Sequence, residues 1–241
     1  MSHAGYRLAV LACSIALCAT SVRAQDDDRA PTPAEAKVLE RYNTVMTGIL
    51  DAFTSPDWRE NDGQRYTLDD ARVHLNSGRP LDITAFLGRA YDVQDGSARF
   101  QKIMPLVQQL QAEQDMKAKM KIGAEIQDMM HLAVEVHFNW RSVTVKPAPS
   151  QNQDLKISGV ALAYKVDDDS HAHGKAYVLL FGDWKKAKWD AENGWLSFPF
   201  AHPDNTPYIE NIVVQLWGAD DRIQELLKTI HWSEVNTALA P

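Results

Sequence analysis

The chain has 241 residues, 32 acidic against 25 basic, and a formal net charge of −7 at neutral pH. That balance argues against a nucleic-acid partner and against an anionic lipid surface. No stretch beyond residue 24 is apolar over the ~20 residues that a permanent membrane anchor needs.

The first 24 residues read as an address. Arg7 gives the leader its positive charge, and residues 8–19 are a run of twelve apolar or small residues. Val22 and Ala24 then stand three and one residues before a cut after Ala24. This three-part layout predicts a secretory signal peptide. Both cysteines, Cys13 and Cys18, fall inside it. The mature chain therefore has no disulfide, no thiol nucleophile and no thiolate metal site. The segment Val10-Leu11-Ala12-Cys13 partly matches a lipoprotein cleavage site, with lipid then carried on Cys13. The apolar run before it is short for that purpose, which favours the cut after Ala24. The chain also lacks an Asn-x-Ser/Thr acceptor, so the two absences together predict the bacterial periplasm.

Residues 25–31, with Asp26, Asp27 and Asp28, read as a flexible linker. Thr32, Pro33 and Glu35 form a helix-start pattern. The apolar set Leu39, Tyr42, Val45, Met46, Ile49, Leu50 and Phe53 continues it at helical spacing up to Pro56. Thr67 and Asp70 predict a short helix ending at Asn76-Ser77-Gly78. Asp82 predicts another, carrying Ile83, Phe86, Leu87 and Ala90. Residues 98–130 read as mostly helical, with a kink or fresh start at Pro105.

From His131 the period changes. Val134, Val136, Phe138 and Trp140 alternate with polar residues, which predicts a half-buried strand. Residues 158–166 and 175–184 predict two strands joined by a loop from Asp167 to Gly174. Residues 195–200 and 209–217 predict two more. Asp220 or Asp221 then starts a last helix with Ile223, Leu226, Leu227 and Ile230 on one side. Helices first and strands later predict an α+β fold: a helical N-terminal half packed on an antiparallel sheet, with a C-terminal helix. One domain over residues 32–232 and a loose tail over 233–241 complete the expectation.

The chain has no Gly-x-Ser-x-Gly elbow, no phosphate-binding glycine loop and no His-Glu-x-x-His motif. Alternating His171 and His173 beside Asp167 and Asp169 could hold a divalent metal, set against a plain solvated hairpin. His131, Glu135 and His137 form a second candidate, since Glu135 and His137 share a strand face. Five of seven methionines lie between Met104 and Met130, as Cu(I) thioether ligands or as core filler. Six of seven tryptophans lie in the C-terminal part. Trp184, Trp189 and Trp195 stand around Lys186, and Trp189 has the most polar neighbours. Aromatic faces beside ammonium groups suit a protein partner or sugar rings.

The sequence thus predicts a periplasmic, non-enzymatic binding protein with no cofactor. Its expected partner is another protein, met as an inhibitor or immunity-type factor through Trp184, Trp189, Trp195, Lys186 and His171. A binder or hydrolase of cell-wall glycan using a Trp-rich surface, and a metal carrier, are the competing expectations.

Overall fold

The computed structural model describes residues 28–145, 155–167 and 175–239. The predicted signal peptide, its expected cut site and Cys13 lie outside them. Strand β1 (Asp28–Arg29) leads into helix α1 (Pro33–Asp51), and strands β2 (Trp58–Glu60), β3 (Val73–His74) and β4 (Leu87–Val93) follow. Helices α2 (Ala98–Ala112) and α3 (Met116–Met130) come next, then strands β5 (His131–Phe138) and β6 (Ser142–Thr144). Strands β7 (Leu162–Asp167), β8 (Lys175–Gly182), β9 (Lys188–Asp190), β10 (Trp195–Ser197) and β11 (Asn211–Gly218) complete the sheets. Helix α4 (Asp220–Thr229) and a 3-10 helix over Trp232–Ala238 end the chain.

Six strands pair antiparallel in the order β2-β4-β5-β11-β8-β7, and β6-β10-β9 make a second antiparallel sheet. The fold is α+β. Along β5, Leu132, Val134, Val136 and Phe138 are buried while Ala133, Glu135 and His137 are half-buried on the other face. The first face carries the larger core, with Tyr42, Met46 and Leu50 of α1, Ile103 of α2, Ile223 of α4 and Trp232. Tyr42 donates its hydroxyl to the Val136 carbonyl at 3.1 Å, and Tyr91 donates to the Leu50 carbonyl at 2.8 Å. Burial raises the pKa of both phenols, so they stay neutral donors. On the opposite face, Val143, Leu196 and Phe198 of the small sheet and its flank pack on Val178, Leu180 and Val213.

Helix α1 starts where the capping pattern places it. The Thr32 hydroxyl accepts from the Glu35 amide at 3.4 Å, and the Glu35 carboxylate accepts from the Thr32 amide at 2.7 Å. Both amides lack a partner inside the helix, and the reciprocal pair satisfies them. Gly48 lies on the exposed side of α1, with nothing within 4 Å of where a Cβ would sit. Gly48→Ala is expected to stabilise the protein by about 1 kcal/mol, because alanine loses less backbone entropy in a helix. A urea midpoint that does not rise would contradict this.

Several elements differ from the sequence reading. The helix expected after Thr67 is instead loop and β3, which pairs with β1. The helix expected after Asp82 is largely β4. Leu87, Arg89, Tyr91 and Val93 share one face there, and the small Gly88 and Ala90 take the other. Pairing with β5 overrides a local pattern that fits both periods. Residues 98–130 form two helices broken near residues 113–115, and Pro105 sits inside α2 without ending it.

The linker expected over 25–31 joins the fold from Asp28 onward. Arg29 forms a bidentate pair with Glu35, its terminal nitrogens donating at 2.6 and 2.7 Å. The tail expected to be loose after Trp232 is a 3-10 helix with Val235 and Ala238 fully buried. At the exit of β11, Gly218 has φ 104°, and a Cβ there would run into the His131 carbonyl. Only glycine fits that approach.

Candidate functional site

The tryptophan and lysine cluster expected from sequence is divided between core and surface. Trp184 is buried, donates Nε1–H to the Phe181 carbonyl at 3.1 Å, and meets Phe198 edge-on at 5.0 Å. Trp189 pairs across from Leu196, and Leu196 pairs with Val143, so that side of the small sheet points into the second core.

 
Trp195 points the other way and is 45% exposed, which makes it the accessible indole of the three. Trp184 is thus turned inward, while Trp189 is half-buried with its face toward the second core. Lys186 remains in solvent, its ammonium 2.6 Å from the Asp183 carboxylate.

Asp169, His171 and His173 lie outside the described residues. Asp167 ends β7 opposite Lys175, with only its backbone described. Among the described residues, no group of three His, Cys, Asp or Glu side chains is placed to hold a metal ion. The second histidine candidate is partly assembled. Glu135 and His137 meet at 3.4 Å on the half-open face of β5. His137 stacks on Phe86 at 4.9 Å and leans on Trp140 at 4.2 Å. His131 is at the other end of the strand, with Nδ1 3.0 Å from the Asp92 carboxylate.

The sequence reading passed over the α2–α3 hairpin as a surface. Ser97 caps α2 by accepting from the Phe100 amide at 3.1 Å, and Asp115 caps α3 by accepting from the Ala118 amide at 2.9 Å. Glu113 closes the turn between them, its carboxylate accepting from the amides of Gln114 (2.8 Å) and Asp115 (2.9 Å). Those two amides hold its pKa below the usual carboxylate range.

The base of the hairpin is clamped by Arg99. Its Nε donates to the Met129 carbonyl at 3.0 Å, and its terminal nitrogens donate to Asp221 at 2.7 Å each. The same guanidinium lies 4.8 Å from the centre of the Trp58 ring. One side chain thus ties α2, α3, α4 and the core together, and its charge lowers the pKa of Asp221.

Away from the base the hairpin is sparsely covered. Ile103 is the buried residue of α2 and Ile122 that of α3. At the tip Met116 and Met120 are 69% and 70% exposed, above every other large apolar side chain among the described residues. They are four residues apart, so they lie side by side on one helix face. Exposed Lys117 and Lys121 stand beside them. Flexible, polarisable thioethers adapt to the surface they meet. Covering one such side chain is worth about 1.5–3 kcal/mol.

Comparison with protein-family models, curated proteins and solved structures finds no match.

Proposed function

We propose that the chain is an exported, non-enzymatic binding protein that docks another protein through the tip of its α2–α3 hairpin. The observation that carries this reading is the exposed Met116–Met120 pair on a hairpin clamped at its base by Arg99. Two neighbouring thioethers left in water make an apolar knob that a partner can bury. Lys117 and Lys121 set the chemistry of that partner: an apolar pocket rimmed by carboxylates. An anionic bilayer fits less well, because the whole chain carries −7 and is repelled at long range. The signal-peptide layout supports export, and an inhibitor or immunity-type role suits a rigid partner-binding surface without a catalytic set.

The test uses the full chain expressed for export, with a photo-crosslinking amino acid in place of Met120. The expected result is one covalent protein adduct that disappears when Met116→Glu is added and persists with Trp195→Ala. With the purified partner, Met116→Glu combined with Met120→Glu is expected to weaken affinity about 100-fold, the equivalent of covering two thioethers. Unchanged affinity would overturn the reading. So would wild-type protein that pellets with phosphatidylglycerol vesicles in place of binding a protein.

A further inference from the structure

A concave surface lies on the helix-covered side of the main sheet, where β2 has ended and β4 is bordered by a loop. It is a cleft of about 440 Å³ between α1, residues 65–69 and β4. That volume is within the ~300–1,000 Å³ of small-molecule sites.

The polar groups around it fall into two sets. The first set is already paired. Arg89 is buried, and its Nη1 donates to Asp51 at 2.6 Å and to Glu60 at 3.2 Å. Thr67 donates its hydroxyl to Asp69 at 2.8 Å. The second set makes no side-chain hydrogen bond among the described residues. Asn43 and Thr47 stand one turn apart on α1 and line the cleft. Arg65 makes no hydrogen bond there either. Its nearest carboxylate oxygen, on Glu60, is 3.6 Å from Nε.

Charge decides the class of ligand. The guanidiniums of Arg65 and Arg89 are matched by Asp51, Glu60 and Asp69, so the cleft holds no surplus of positive charge for a phosphate. What it offers is an amide, a hydroxyl and a guanidinium fork, each able to hydrogen-bond a neutral oxygen. Leu50 and Leu87 supply apolar wall, and Tyr66 borders the cleft between Arg65 and Thr67. The Tyr66 ring lies over Gly88 on the other face of β4 and stacks there on Phe86 at 4.8 Å, which anchors the 65–69 segment that walls the cleft. Hydroxyls spaced around a ring with apolar C–H faces are the chemistry of a pyranose.

We propose that this cleft binds a short, uncharged saccharide, with Asn43, Thr47 and Arg65 taking its hydroxyls. The site is separate from the hairpin tip and stands or falls independently of it.

The experiment is a titration of the mature protein, labelled with ¹⁵N, with N-acetylglucosamine oligomers and, in parallel, with glucose oligomers. Saturable shifts are expected at the amides of residues 43–47, 65–69 and 87–89 with one of the two. The sugar that saturates separates a cell-wall source from a glucan source. Asn43→Ala and Arg65→Ala are each expected to weaken binding about tenfold, the loss of one or two hydrogen bonds. Lys186→Ala is expected to leave it unchanged. Wild-type shifts that do not saturate at millimolar sugar, or that map away from these residues, would overturn the proposal without involving any variant.

Discussion

Asn139→Leu is expected to destabilise the protein by about 4 kcal/mol, near the upper end for a single substitution. Asn139 is fully buried with φ 47°, a left-handed conformation that asparagine tolerates and leucine does not. Its side-chain amide donates to the carbonyls of Leu81 (2.8 Å) and Tyr208 (2.7 Å), and its carbonyl oxygen accepts from the Glu210 amide (2.8 Å). Its partner Asn211, also fully buried, accepts from the Trp140 amide at 2.9 Å and donates to the Trp140 carbonyl at 3.2 Å. The two asparagines together satisfy the backbone where β5 ends and β11 begins. Leucine would leave two carbonyls and one amide without partners, each costing about 1–3 kcal/mol, and would add the strain of positive φ. Asn139→Gly removes the same three bonds but relieves the backbone, so its loss is expected to be smaller. Urea unfolding with an unchanged m-value measures both. A leucine variant within about 1 kcal/mol of wild type would mean that water replaces the lost partners.

The parts of the fold that the sequence disclosed are those whose signals are local. The capping box at Thr32 and Glu35 lies within four residues, and the alternation through Val134, Val136 and Phe138 within five. β4 was hidden because its partners are distant: Leu87 pairs with Val136 and Tyr91 with Leu132. With Gly88 and Ala90 in place of larger apolar residues, its own pattern does not choose between periods 2 and 3.6.

Trp189 and Trp195 differ for a similar reason. Which indole faces water depends on register, Trp189 opposite Leu196 and Trp195 opposite Asp190, and a shift of one residue would exchange them. For Met116 and Met120 composition suggested filler. Their exposure follows from a hairpin whose tip extends beyond the residues that bury it. Asn43 and Thr47 carried the weakest signal. A polar helix face reads the same whether it borders solvent or a cleft.

Glu35→Gln is expected to cost on the order of 3 kcal/mol at neutral pH, and the cost is expected to vanish in acid. The Glu35 side chain is 2% exposed. The Arg29 guanidinium, followed by the Thr32 amide and hydroxyl, holds its carboxyl at about 2, against a usual value of 4.5. A carboxyl whose pKa is lowered by folding stabilises the protein fully above its unfolded value and progressively less as pH falls toward its folded one. The contribution of Glu35 is therefore complete above about pH 4.5 and fades between 4.5 and 2. Glutamine keeps the shape but cannot pair with Arg29, and the charged form that the cap favours no longer exists. Asp221, held low by Arg99, contributes alike in both proteins, so the difference between the two stability curves isolates Glu35. Because Arg29 belongs to β1, the lost pair is also expected to free that strand, seen as faster amide exchange at Asp28, Arg29 and Val73. A difference in stability that stays constant from pH 7 to pH 2 would show that the cap acts through packing, and the ion pair would then contribute nothing.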